Sequence, residues 1–295
     1  MRFTHSTSLV LFSLAALVVA APRASASIVV VTQSNLGFVP RDVTIAVGDT
    51  VRWQWSSQTH TVTEGDDGVH NGDETWHAIL ASTTPTFELT FDAAFLAAHP
   101  KPCNLYDYFC EIHYPGDMRG TIKVGTPPGT AFCFGDGTTI SGCPCAAPYF
   151  TPIPGGWAGH GCANSFNLHG ARLCASGTLS PDTLTFNAQV APSYVAFGFM
   201  FKGDGQDLNG VAVGDGLRCA AGQIIRFGGH YAGTNGAAIG TWTYPNTVQT
   251  LPVSLATLQH AGQDAYYQFY YRNSESGFCT AATTNLSNAY RTSWP

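Results

Sequence analysis

Tyr108-Phe109-Cys110-Glu111-Ile112-His113-Tyr114-Pro115-Gly116-Asp117-Met118-Arg119-Gly120 puts a Cys at the end of a β-like run, a His three residues on and a Met five residues beyond that. Pro115-Gly116 marks a tight turn between them. Upstream, Gln58-Thr59-His60-Thr61-Val62 offers a second imidazole. His60, Cys110, His113 and Met118 together supply one thiolate, two imidazoles and one thioether. That donor set suits a trigonal His₂Cys copper site with a long axial Met, the arrangement of blue-copper electron transfer. Soft sulfur beside imidazole serves a metal that cycles between Cu(I) and Cu(II), and the thioether tunes potential more than affinity. The competing reading makes Cys110 one more disulfide cysteine, with His113 and Met118 incidental. The joint spacing, the upstream His after a Trp-rich strand and the Gly-Thr-Ile-Lys-Val run from Gly120 weigh against it.

Working outward, the first half reads as strands. Ile28 to Thr32 is a short β-branched run, and Val43 to Ala46 leads through a Val-Gly-Asp turn into Thr50 to Trp55. Phe87 to Phe91 alternates, and Tyr106 to Cys110 and Thr121 to Val124 complete the set. Asp92 to His99 reads as one or two helical turns. The expectation is a small antiparallel β-sandwich or barrel. Gly125-Thr126-Pro127-Pro128-Gly129-Thr130 has linker composition.

Phe38-Val39-Pro40-Arg41-Asp42-Val43-Thr44-Ile45-Ala46-Val47-Gly48-Asp49-Thr50-Val51-Arg52-Trp53, the His60 segment and Tyr108 to Val124 resemble plastocyanin-like cupredoxins. The resemblance covers about one third of the chain. It implies a Greek-key β-sandwich carrying one type 1 copper, with His60, Cys110, His113 and Met118 as ligands. The ligand spacing resembles plastocyanin and pseudoazurin rather than azurin. By position, the resemblance also implies that His113, beside Tyr114 and Pro115, is the electron port and that Phe109 lies on a second route outward.

The stretch from Glu64 to Pro85 departs from that pattern. It holds Glu64, Asp66, Asp67, Asp73 and Glu74 with His70, Trp76 and His77. As an acidic loop it would either steer a basic redox partner or simply solvate the surface. His70 and His77 could bind a second metal, but their spacing matches no strong template and weighs against it; His99 reads as a surface residue.

Bulk properties set the frame. The chain has 295 residues, room for roughly two domains. Only 11% of residues are charged, while Gly numbers 32 and Pro 17, a balance that favours short strands and loops. The net charge of -6 is concentrated in the first half, where Ile28 to Gly125 holds five Lys/Arg against twelve Asp/Glu. That acidity argues against nucleic acid as a partner and suits a basic protein surface. Residues 1–26 read as a signal peptide: Arg2 and His5, an apolar run from Leu9 to Ala21, then Ala24-Ser25-Ala26. No second apolar stretch follows, so the mature chain is expected to lack a transmembrane segment and to be exported, to the periplasm or the cell exterior. In such a compartment the nine cysteines should be mostly disulfides. Setting Cys110 aside leaves an even number.

The expected division is a cupredoxin domain at 27–125, a linker at 126–130 and a cysteine-rich β domain at 131–295, giving an all-β protein with a second disulfide-rich, sandwich-like unit. Candidate strands in the second half are Thr183 to Val190, Tyr194 to Lys202, Gln223 to Tyr231, Ile239 to Thr243 and Tyr266 to Arg272. The motifs around Cys133, Cys143-Pro144-Cys145, Cys162, Cys219 and Asn285 to Ala289 resemble a cysteine-rich C-terminal module of bacterial secreted proteins with no assigned activity. Six cysteines fall in that module's motifs, Cys279 among them; Cys174 does not, which makes it the natural partner for Cys103. Cys143-x-Cys145 reads as disulfide rather than metal chemistry. Gly203 to Gly210 reads as a turn and fits no EF-hand, and Asn285-Leu286-Ser287 is a formal glycosylation sequon.

Three functions remain. The first is an exported, non-enzymatic electron carrier that serves a redox partner protein. The second is a secreted surface or matrix interaction protein with a structural or vestigial copper site. The third is a copper oxidase or nitrite reductase, which would need His-x-His ligands for a second copper centre; none occurs in the sequence.

Overall fold

The computed structural model describes residues 25–66, 68–144, 159–190, 197–237, 240–275 and 277–295. Most of the expected signal peptide, Asp67, Cys145 and the first residues of the expected strands at Tyr194 and Ile239 lie outside them. The N-terminal half runs β1 (Ile28–Ser34), β2 (Gly37–Val39), β3 (Asp42–Ile45), β4 (Thr50–Gln54), β5 (His60–Glu64), β6 (His77–Leu80), β7 (Thr86–Thr90), α1 (Ala93–Ala98), β8 (Leu105–Phe109) and β9 (Arg119–Val124). These form two sheets, ordered β2-β1-β4-β7 and β3-β9-β8-β5-β6.

Alternation fixes which side chains turn inward. In β4, Val51 and Trp53 are buried while their neighbours are not; in β9, Gly120, Ile122 and Val124 are. Val51, Trp53, Ile122 and Val124 meet Val31, Phe38, Phe91, Tyr106 and Tyr108 in one apolar core. Trp53 packs edge-on to Tyr108 at 5.3 Å between ring centroids, a contact of about 0.5–1.5 kcal/mol beyond area burial. Asp92 caps α1 by accepting the Phe95 N–H at 2.8 Å.

Two features depart from the sequence reading. The sandwich is not wholly antiparallel: β1 pairs with β4, and β3 with β9, in parallel. Parallel neighbours need crossovers rather than hairpins, and the crossovers carry the chain between the sheets. The Glu64 to Pro85 stretch is also not a free acidic loop. Glu64 is buried and paired with Lys101 at 2.7 Å. Trp76 is buried in the core, and β6 follows it.

The C-terminal half runs β10 (Thr130–Phe132), β11 (Arg172–Ser176), β12 (Thr185–Gln189), β13 (Phe197–Gly203), β14 (Gly205–Val213), β15 (Gly216–Ala221), β16 (Ile225–Tyr231), β17 (Thr241–Tyr244), α2 (Val253–Ala256), β18 (Asp264–Arg272) and β19 (Thr284–Ser293). Its sheets are β10-β19-β18-β13-β16, β11-β12-β17 and the hairpin β14-β15. Phe186, Trp242, Tyr267, Phe269 and Tyr271 centre its core. The expected turn at Gly203 to Gly210 is mostly strand, and Asn285 of the sequon is fully buried in β19. Cys133 bonds Cys219 and Cys143 bonds Cys162, both within this half.

The halves are tied together. Cys103 is bonded to Cys174. Arg172 Nη1 reaches Asp107 Oδ2 at 2.6 Å. His169 Nε2 lies 3.1 Å from the Tyr114 hydroxyl. No helix among the described residues is long and apolar enough to cross a membrane.

Candidate metal centre

His60 opens β5, and Cys110 directly follows β8, its neighbour in the sheet. The connection from β8 to β9 carries His113 and returns at Met118. That connection is closed by backbone bonds. Cys110 N–H donates to Met118 O at 2.9 Å, His113 N–H to Cys110 O at 3.2 Å, and Gly116 N–H to His113 O at 2.9 Å. Asp117 takes a left-handed backbone (φ 66°), and its carboxylate is gripped by Arg41 at 2.9 Å and Arg119 at 2.5 Å. Burial lowers the Arg119 pKa to about 10, against the pull of Asp117. Gly120 is required by close approach: a Cβ there would lie 2.1 Å from the Arg41 carbonyl oxygen.

The loop brings three donors to one point. Cys110 Sγ is 3.4 Å from His113 Nδ1 and 3.7 Å from His60 Nδ1. A first-row metal about 2.0 Å from nitrogen and about 2.3 Å from sulfur, with donors near 120° apart, sets N and S roughly 3.5–3.8 Å apart. The residues therefore fit a trigonal ion without rearrangement. Cys110 and Met118 are wholly buried, as is His60, whereas His113 is half-buried. Cys110 is the free cysteine among the described residues, which otherwise pair; Cys279 too is disulfide-bonded. Burial, with His113 adding to it, holds His60 below the ordinary imidazole range, so its nitrogen stays neutral.

Residues 25–125 match the model of the copper binding proteins, plastocyanin/azurin family. This part of the chain is a plastocyanin-like cupredoxin domain. Among solved structures, the chain is similar to amicyanin from Paracoccus versutus (27% identity over 35% of this chain and 85% of that one, TM-score 0.26). It is also similar to auracyanin from Roseiflexus castenholzii (20%, 35% and 100%, TM-score 0.27). A third is the oxidised plastocyanin of Dryopteris crassirhizoma (17%, 33% and 100%, TM-score 0.26).

Sequence reasoning passed over two residues of the cupredoxin site. Thr61 donates its N–H to Cys110 Sγ at 3.4 Å, and its hydroxyl accepts the Glu111 N–H at 2.9 Å. It therefore orients the sulfur from one side and the loop from the other. Glu111 turns away from the sulfur: its carboxylate accepts from the Thr63 hydroxyl at 2.6 Å. Position supplied a clue to both, since each directly follows a candidate ligand. Two acidic residues of the Glu64 to Pro85 stretch, which would either steer a partner or solvate the surface, are engaged within the fold: Glu64 by Lys101, Glu74 by the N–H groups of Asn71 and Gly72.

Proposed function

We propose that the protein is an exported carrier of single electrons, with one type 1 copper held by His60, Cys110, His113 and Met118. The observation that carries this reading is the convergence of two imidazole Nδ1 atoms on a buried, unbridged thiol. Copper bound there would supply a one-electron couple. Around it, Thr61 donates to the sulfur, the Cys110–Met118 backbone bond holds the loop closed, and Arg41 and Arg119 fix Asp117. A frame held this way changes little when a charge arrives or leaves. His113, the half-buried ligand, with Ile112 exposed beside it, is the side from which a partner would exchange electrons. The acidity of this half favours a partner with a basic docking face. Export agrees with the disulfides, which persist in oxidising compartments.

The test is Cu(II) addition to the metal-free mature protein, followed by visible absorption and electron paramagnetic resonance. An intense blue thiolate-to-copper band with narrow hyperfine splitting is expected, and Cys110→Ser abolishes it. A colourless protein, or a band that survives Cys110→Ser, excludes the reading.

A further inference from the structure

A second group of metal-ligating side chains lies on the other side of Glu111. His77 opens β6 and faces Thr63 of β5 in register, while Glu111 follows β8, the next strand over. Glu111 Oε1 lies 2.9 Å from His77 Nδ1 and 3.8 Å from His70 Nδ1. The three residues' donor atoms lie within 4.8 Å of one another. The two imidazoles stack face to face, 4.0 Å between centroids and 12° between planes, so both present nitrogen to the same carboxylate. A tetrahedral ion about 2.0–2.1 Å from N and O donors separates them by roughly 3.4 Å, a value the two observed distances bracket.

The surroundings hold these groups in place. The Thr63 hydroxyl lies 2.6 Å from Glu111 Oε1 and 3.0 Å from His77 Nδ1. Glu74 Oε2 lies 3.4 Å from His70 Nε2, the nitrogen that points away from the cluster. A carboxylate on that nitrogen keeps its proton there and leaves Nδ1 free to coordinate, the usual support of a metal-bound His. Glu74 is fixed in turn by the N–H groups of Asn71 at 2.7 Å and Gly72 at 2.9 Å. Trp76, buried in the core, anchors the far end of this loop.

We propose that His70, His77 and Glu111 form a second site, for a divalent ion of the Zn(II) class, with one coordination position open to solvent. The donor set is two imidazoles and a carboxylate, which zinc accepts with a fourth position left to water. The site does not depend on the copper reading, since it shares no ligand with it. It is nonetheless joined to it by the Cys110–Glu111 peptide and by Thr61, which touches both.

Zn(II) alone is titrated calorimetrically into the metal-free full mature chain. The wild type is expected to take two ions, one of them at the cupredoxin site. Cys110→Ala should retain one ion, and adding His70→Ala and His77→Ala should remove it. Glu74→Gln, which leaves every ligand in place, should weaken the second ion about tenfold or more. The three changes other than Cys110→Ala lie in the loop and edge strand outside the apolar core, and near-ultraviolet circular dichroism checks that each variant is folded. Cys110→Ala that binds no Zn(II), or a triple variant that binds it undiminished, overturns the proposal. Loss of the blue band under Cu(II), by contrast, bears only on the first site.

Discussion

Arg172 in the C-terminal half holds the carboxylate of Asp107, Nη1 to Oδ2 2.6 Å, on β8, the strand that Cys110 directly follows. Burial works against the Asp107 charge, but Arg172, with His160 and the Thr121 hydroxyl, outweighs it and keeps the carboxyl below its ordinary value of 3.8. A depressed carboxyl stabilises the fold above its unfolded value and stops doing so as pH falls through the folded one. The bond between the halves should therefore be insensitive to pH above about 4 and weaken in stronger acid. Arg172→Ala should cost about 2–3 kcal/mol at neutral pH and move the acid unfolding limb to higher pH, read by urea titrations across the acid range.

The Cys103–Cys174 bond closes a chain separation of 71 residues. Removing it with Cys103→Ser and Cys174→Ser should cost about 2–4 kcal/mol. It should also split one calorimetric transition into two, because each half has its own apolar core. A single unshifted transition would show that the bond adds nothing to the ties around Arg172.

Burial, with Arg119 adding to it, lowers the His169 pKa to about 3 from an ordinary 6.5. The folded state thus refuses a proton that the unfolded chain accepts below 6.5, so stability falls as pH drops between those values. The slope from this one group is at most about 1.4 kcal/mol per pH unit. His169→Gln, which keeps a polar group near the Tyr114 hydroxyl, should flatten the pH dependence of the melting temperature between pH 6.5 and pH 4.

Met118 sits fully buried at the end of the ligand loop, its carbonyl accepting from Cys110. Met118→Leu keeps the volume and that backbone bond but removes the thioether. Without axial sulfur the oxidised ion loses a donor, so the reduction potential should rise while the blue band persists. Cyclic voltammetry of both proteins checks the direction.

How much of this could be read from residues alone differs by element. The β8–β9 connection was legible because its chemistry is local: Cys110, His113 and Met118 fall within one turn, and only His60 had to come from elsewhere. The parallel pairs were not, since nothing in the β1 or β3 pattern distinguishes a parallel neighbour from an antiparallel one. Trp76 was hidden among acidic residues, of which the fold buries Glu64. His77 and Glu111 lie far apart in sequence and meet only because β5 separates their strands. In β19 the alternation fails because polar side chains are buried there. Asn288 accepts the Leu173 N–H at 2.7 Å and donates to the Leu173 carbonyl at 2.9 Å, so a side chain does what a neighbouring strand would do. A pattern search reads that as loop.

The covalent and ionic ties between the halves also set a direction. Cys103–Cys174 and Arg172–Asp107 leave little room for the C-terminal half to swivel, so it acts as a fixed handle on the copper end. A modified gold surface that grips that handle therefore also decides which way His113 faces. Mounting the chain by its C-terminal half with its ties intact should give electrode contacts of one tunnelling distance, whereas cutting the disulfide should spread them.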